Sequence, residues 1–386
     1  MTQTLNFPHQ PLPDSAENLR ADIRAFLAEE RRQGSFQPAS DSWLACDPEF
    51  SRKLGAAGWL GMTWPRKYGG AERSALDRYV VTEELLCAGA PVGAHWASDR
   101  QTGPMLLRFG TEEQRQTFMP PMARGECYFA LGMSEPDAGS DLAAVRTRAE
   151  RVDGGWRLNG RKIWSSYAHR AHCMVVLCRT SPRDDNDRHA GLSQLLVEMD
   201  SPGLQVRGIT NLAGVQHFNE VLFEDLFVPD SRVVGEIGNG WQQVVGELAY
   251  ERSGPERFLS YYGVLAELVA NLAAGPTPDK ATLAATGALI SQLASLRQMS
   301  LSVAARLEAG EMPALEAALV KDLGTRFERL LPEQARLIAG ANEISTHQGE
   351  FARLLRGAIL HAPSATLRGG TNEILRGAIA RGLGLR

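Results

Sequence analysis

At 386 residues with 44% hydrophobic content, the chain exceeds what one core usually organises and is expected to fold as two or three packed units. Its 41 basic and 45 acidic residues leave a formal charge of -4 without a basic stripe, which argues against nucleic acid as a partner. Five scattered cysteines without a C-x-x-C pair, no H-E-x-x-H or similar ligand spacing and no long apolar run argue against a disulfide scaffold, a metal site and a membrane span.

The first residues, Met1 to His9, lack a basic stretch followed by an apolar core, so an unexported, cytoplasmic protein is expected. From Ser15 to about Gly125 apolar residues recur at helical spacing, as in Leu19, Ile23, Phe26 and Leu27, with breaks at Gly and Pro clusters such as Tyr68-Gly69-Gly70 and Gly103-Pro104. Residues 1–127 are therefore expected to form a helical domain.

Short alternating runs follow, including Met174 to Leu177, Leu195 to Val197 and Val221 to Phe223, and predict a β domain over residues 128–238. Asn159-Gly160 between two such runs predicts a two-residue hairpin, because both central positions of a type I′ turn need positive φ. The segment Ser181 to His189 reads as a polar loop. From residue 239 to 386 helical spacing returns, with Leu289, Ile290, Leu293, Leu296 and Leu307 assigned to one face and Gly310 to a C-cap. A helical block, a β block and a helical bundle in that order exclude a doubly wound βαβ fold.

Chemistry concentrates in three places. Gly132 to Asp141 (GMSEPDAGSD) is rich in small residues; Ser134 and Ser140 supply hydroxyls, and Gly139 allows backbone N–H groups to approach a phosphate or ring oxygen. Arg161 to Ser166 (RKIWSS) brings an indole beside two hydroxyls, and Gly369-Gly370-Thr371 precedes the helical pattern Ile374, Leu375, Ala378, Ile379. Thr371 is expected to cap that helix, whose N-terminus favours developing negative charge.

These blocks, with Asn219 to Pro229 between them, resemble the acyl-CoA dehydrogenases in order and approximate spacing across nearly the whole chain. The resemblance implies an α+β multidomain fold: an N-terminal helical domain, a central β barrel and a C-terminal four-helix bundle, with FAD held between barrel and bundle near a dimer contact. It implies a flavin site made by Leu131, Met133, Ser134, Gly139, Ser140, Trp164, Ser165, Ser166, Thr371, Asn372 and Glu373, and thioester contacts from Ser140, Arg252 and Gly370. In this family a backbone N–H of the Gly-Gly-Thr turn binds the thioester oxygen and acidifies the α-proton. An electron-transferring flavoprotein as acceptor, and a homodimer or homotetramer, are implied likewise.

Many members carry the catalytic glutamate immediately before the Gly-Thr, where this chain has Gly369; a smaller set, including the long-chain and isovaleryl enzymes, carries it as Glu-Arg on the first bundle helix. Glu251-Arg252 stands there, so Glu251 is the implied base. Glu247 lies one turn earlier and would disfavour ionisation of either carboxyl. A helix continuing through Pro255 would be kinked beside the base, at about 3 kcal/mol, and would turn Glu256 away from it. Asn271 to Lys280 lacks the family's Arg and Phe-Gly anchor, and its Gly-Gly-x-Gly element is reduced to Ala339 to Glu343. That departure keeps open a half-site subunit of a mixed oligomer. A flavin oxidase or monooxygenase is a third reading on the same fold.

Overall fold

Helices α1 (Asp14–Arg32), α2 (Pro48–Ala56), α3 (Ala75–Cys87), α4 (Gly103–Phe109) and α5 (Glu112–Ala123) precede the strands. The strands are β1 (Phe129–Gly132), β2 (Arg148–Val152), β3 (Gly155–Lys162), β4 (Cys173–Arg179), β5 (Leu192–Glu198), β6 (Leu204–Thr210) and β7 (Gln216–Pro229). After them come α6 (Gly240–Glu251), α7 (Tyr262–Ala274), α8 (Lys280–Glu308), α9 (Ala314–Ala339), α10 (Glu350–His361) and α11 (Asn372–Gly382). The computed structural model describes the backbone of residues 4–184, 186–340 and 349–385 and, among these, the side chains of all but residues 246–251. The chain divides into a helical unit (Met1–Ala45, Ser74–Val92, Ala249–Arg386) and a sheet-centred unit (Cys46–Arg73, Gly93–Leu248).

The sheet runs in the order β1-β4-β2-β3-β7-β6, with β5 paired antiparallel to β4. β4 and β5 are buried almost throughout, as expected of strands covered on both faces. Met174 and Val176 point into a core with Trp156, Leu158, Val221 and Phe223. Their neighbours Cys173 and Val175 pack instead against Met105, Leu106, Phe118 and Met119 of α4 and α5. β7 buries alternate residues from His217 to Phe223, the period-2 signature of a strand with one covered face.

The hairpin expected at Asn159-Gly160 is not there. β2 and β3 turn at Asp153-Gly154, with Gly154 at φ 71° and Val152 opposite Gly155. Asn159 and Gly160 lie inside β3, where its pairing with β7 shifts register between Leu158 and Gly160. Asn159 exchanges hydrogen bonds with Asp225 across this bulge, at 3.1 and 2.9 Å. A Cβ at Gly160 would lie 2.7 Å from the Thr147 Cα. The same dipeptide that suits a tight turn thus serves a bulge, because β3 must pair with two neighbours along its length.

In the α2 region Ser51 Oγ lies 2.8 Å from His95 Nδ1, both residues being buried. Burial holds the imidazole neutral and pulls its pKa down to about 4, against a smaller opposing pull from Asp99. Because the unfolded chain binds the proton more tightly, stability rises with pH between the two values and is depressed below them. Urea denaturation should therefore lose about 3 kcal/mol between pH 7 and pH 4 through this residue alone. His95→Asn should flatten that part of the profile.

In the helical unit, Glu83 and Glu84 of α3 are buried against Arg20 of α1, and Arg297 of α8 reaches Glu83 at 2.6 Å. On α8, Leu289 and Leu296 are buried as the periodicity predicts, but Ile290 is 47% exposed. Gly310, at φ 80°, follows the α8 C-cap Ala309. The helix does not continue through Pro255. α6 stops at Glu251, Gly254 is extended, and Pro255 opens a 3-10 turn, Pro255–Arg257, before α7. A residue before proline is driven out of the helical region, and Glu256 is consequently buried in the turn rather than displayed on a helix. Among the described residues no helix is long and apolar enough to cross a membrane, and no group of three or more His, Cys, Asp or Glu side chains is arranged to hold a metal.

Candidate active site

In the sheet unit, the segment after β1 is built around a buried ion pair. Lys162, fully buried on β3, donates to Glu135 Oε1 at 2.8 Å and to the Met133 carbonyl at 3.0 Å. Glu135 also accepts from the backbone N–H of Arg146 at 2.6 Å and of Thr147 at 2.8 Å. Burial alone would raise the Glu135 carboxyl, but the ammonium and the N–H donors hold it below the usual range. Burial lowers the Lys162 ammonium, with Glu135 opposing. Glu135 and Ala138 close a tight turn through two backbone hydrogen bonds, of 2.9 and 3.1 Å. The loop is thus fixed by its backbone and carboxylate, which frees its small side chains for the surface. Leu131, Met133 and Ser134 are half-buried, Gly139 and Ser140 are exposed, and a Cβ at Gly139 would meet nothing within 4 Å.

The same lysine strand leads into the indole segment. Ile163 N–H donates to the Ser134 carbonyl at 2.9 Å, tying the two segments together. Trp164 has φ 61°, an uncommon conformation for so large a residue, and is 54% exposed. It rests edge-on against Phe218, with ring centroids 5.7 Å apart. Asn219 holds the turn through paired backbone bonds with Ser165 and a side-chain bond to its carbonyl, each 3.0 Å. Ser166 is exposed, whereas Ser165 is buried with its hydroxyl turned inward. Of the flavin-site candidates Trp164, Ser165 and Ser166, the first and last therefore reach the surface and Ser165 does not. A strained, outward indole on a segment that also carries the exposed Ser166 fits a flat apolar ring with a polar edge. Lys162, Glu135 and Asn219, which build this surface, escaped the sequence reading; the lysine in the midst of an otherwise strand-like run was the available signal.

In the helical unit, Gly369 and Gly370 have φ 67° and 86°, a left-handed pair that glycine adopts without a Cβ penalty. Thr371 caps α11 as expected, accepting from the Ile374 N–H at 3.5 Å. Arg368 anchors the turn from one side. It donates to Glu328 and Ser260 Oγ, each at 2.9 Å, and stacks over Trp43 at 4.6 Å. Burial raises the Glu328 carboxyl, with Arg368 pulling the other way. From the other side Lys321 of α9 donates to the Gly370 carbonyl and, at 3.0 Å, to Asn372 Oδ1. Asn372 is buried against α9, while Glu373 is exposed at the helix start, where its own backbone N–H and the Thr371 hydroxyl lower its carboxyl.

Two arginines flank the glycines. A Cβ on Gly369 would sit 2.9 Å from Arg257 Nη2, and one on Gly370 3.9 Å from Arg252 Nη2. Arg257 is fully buried and stacks over Trp43 at 5.4 Å. Arg252 follows directly on the C-terminus of α6, so Glu251 ends the helix immediately before a residue that reaches this turn. The side chains of Glu247 and Glu251, and residues 341–343 of the reduced glycine element, lie outside the described residues.

Three domain families match in succession: acyl-CoA dehydrogenase N-terminal domain over residues 13–126, middle domain over 130–226 and C-terminal domain over 238–384. Acyl-CoA dehydrogenase IpdE1 of Mycobacterium tuberculosis is 36% identical over 349 residues, 87% of each chain. Acyl-CoA dehydrogenase FadE26 of the same organism is 31% identical over 395 residues, covering 95% of this chain and 96% of that one. Among solved structures, the Tcur3481-Tcur3483 steroid ACAD superposes with a TM-score of 0.86 at 27% identity, over 99% of both chains. The ChsE4-ChsE5 complex from Mycobacterium tuberculosis does so with 0.84 at 26%, over 99% of this chain and 100% of that one. The family matches and relatives define a flavin-dependent oxidoreductase that uses FAD. The chain belongs to the acyl-CoA dehydrogenase family.

Proposed function

We propose that the chain catalyses α,β-dehydrogenation of an acyl-CoA to a trans-2-enoyl-CoA, with Glu251 removing the α-proton while the Gly369–Thr371 turn receives the thioester oxygen. Bound FAD supplies the hydride acceptor. The observation that carries this reading is the environment of Gly369. Its positive φ, and the Arg257 guanidinium 2.9 Å from where a Cβ would stand, disfavour a glutamate side chain at that position. A carboxylate forced in there would also be ion-paired with Arg257 and weakened as a base. The neighbouring Arg252 reaches the same turn, which supports a base supplied from the end of α6.

Likeness to a steroid ACAD favours a polycyclic, steroid-derived acyl group, and we propose a cytoplasmic enzyme reoxidised by an electron-transferring flavoprotein. Transplanting the base tests the site directly. Gly369→Glu added to Glu251→Gln should restore no turnover, read as flavin reduction by acyl-CoA under anaerobic conditions. Recovery of a substantial fraction of wild-type rate would mean that residue 369 can host the base after all.

A second reading, a subunit of a mixed oligomer, has its own support. Two of the solved relatives are named as pairs of different chains, and the end of α7, the connection and the start of α8 display Asn271, Gly275, Pro276 and Lys280 on the surface in place of the family's anchor. A colourless protein that gains FAD only when co-expressed with a second acyl-CoA dehydrogenase chain would favour it. A yellow homo-oligomer would reject it.

A further inference from the structure

Lys321 lies on α9 with no exposed surface, and its ammonium is aimed at the start of another helix. Cations normally favour helix C-termini, because the N-terminus already carries positive potential. Here the Lys321 ammonium sits at the N-terminal end of the 11-residue α11. Two of its contacts lie on the glycine turn and the helix start. It takes the carbonyl of Gly370, the second left-handed glycine, and the Oδ1 of Asn372, the first residue of α11. One helical turn further along α9, Thr325 Oγ1 donates to the same Oδ1 at 3.1 Å, and the Asn372 amide donates back to the Asp322 carbonyl at 3.3 Å. Glycines have the widest backbone freedom of any residue, so the turn needs external ties to keep one conformation.

We propose that Lys321 is a positioning residue for the acyl-CoA dehydrogenase reaction. By capturing the Gly370 carbonyl it fixes the plane of the Gly370–Thr371 peptide and so the course of the turn, whose N–H groups meet an incoming thioester oxygen. Its charge also stabilises the negative charge that gathers there as the α-proton leaves. The inference rests on the function proposed above, and it concerns this lysine rather than the base.

The test uses the flavin-loaded enzyme and dimethylaminocinnamoyl-CoA, an unsaturated thioester whose absorption moves to longer wavelength when its carbonyl oxygen is polarised. Wild type should bind the probe with a clear red shift. Lys321→Met should keep FAD and bind the probe within about tenfold, yet lose most of the shift and drop kcat by about 10²- to 10³-fold, as expected when a backbone N–H that it holds in place no longer meets the oxyanion. KM should change far less. Lys321→Gln, which keeps an N–H donor without the charge, should be intermediate in both shift and kcat, and it serves if the methionine variant does not fold. A full red shift in either variant, with kcat falling only in step with thermal stability, would reduce Lys321 to a structural role and overturn the proposal. If wild type itself neither shifts the probe nor reduces its flavin with any acyl-CoA, the enzymatic reading fails instead.

Discussion

Glu251→Gln should lower kcat by about 10⁴-fold or more while leaving FAD content and acyl-CoA affinity within a few-fold of wild type. The amide keeps the shape and polarity of the carboxylate but accepts no proton from carbon, and general bases commonly contribute about 10²- to 10⁴-fold. With a left-handed glycine at residue 369 beside Arg257, no second base stands ready in that position, which puts the loss at the upper end. The location carries a local cost of its own. Glu251 is the last residue of α6, where the negative end of the helix dipole disfavours a carboxylate, and functional sites are where such violations of local preference are tolerated. Stopped-flow flavin reduction separates the chemical step from binding. If Glu251→Gln reduces its flavin at nearly the normal rate while Glu256→Gln does not, the buried glutamate of the Pro255 turn is the base.

Lys162→Met should destabilise the sheet unit by about 3 to 5 kcal/mol, because it strands the buried Glu135 carboxylate. It should also strip FAD, since the ammonium ties the Met133 carbonyl and Glu135 to β3 and so shapes the loop beneath Ser134. Denaturant unfolding and the flavin-to-protein absorbance ratio read the two effects separately. Adding Glu135→Gln to Lys162→Met should recover part of the lost stability, because the uncompensated charge is then gone; simple additivity of the two losses would deny the coupling. The Glu135 carboxyl is held below its usual range, against burial, by Lys162 and backbone donors. Its contribution is therefore present above the ordinary carboxylate pKa and lost as pH falls through the folded value. The gap between wild type and Glu135→Gln should shrink in acid.

Much of the architecture was legible in the sequence, because each block advertises itself through a different period: 3.6 residues in the helices, two in β7, and continuous apolar runs in β4. Thr371 was legible too, since capping is a local matter of a hydroxyl three residues before an N–H. Contacts between distant segments were not. Glu135 and Lys162 are 27 residues apart, and nothing local says that this lysine is buried. Asn159-Gly160 has the chemistry of a tight turn, but the demand that β3 pair with both β2 and β7 converts it into a bulge. The inward placement of Ser165 accompanies its backbone pairing with Asn219, 54 residues away, and is not readable from the motif itself. Gly369 illustrates the same limit in the site. The missing glutamate was plain in the sequence, whereas Arg257 packing against the vacated position became visible only in three dimensions.

Anaerobic mixing of the purified yellow protein with a panel of acyl-CoAs, including steroid-derived ones, tests the central claim most directly. Bleaching of the flavin absorbance by at least one saturated acyl-CoA, with the matching trans-2-enoyl-CoA recovered in stoichiometric yield, is the predicted result. A protein that binds FAD and remains fully oxidised with every member of the panel, alone and with a co-expressed partner chain, would contradict it.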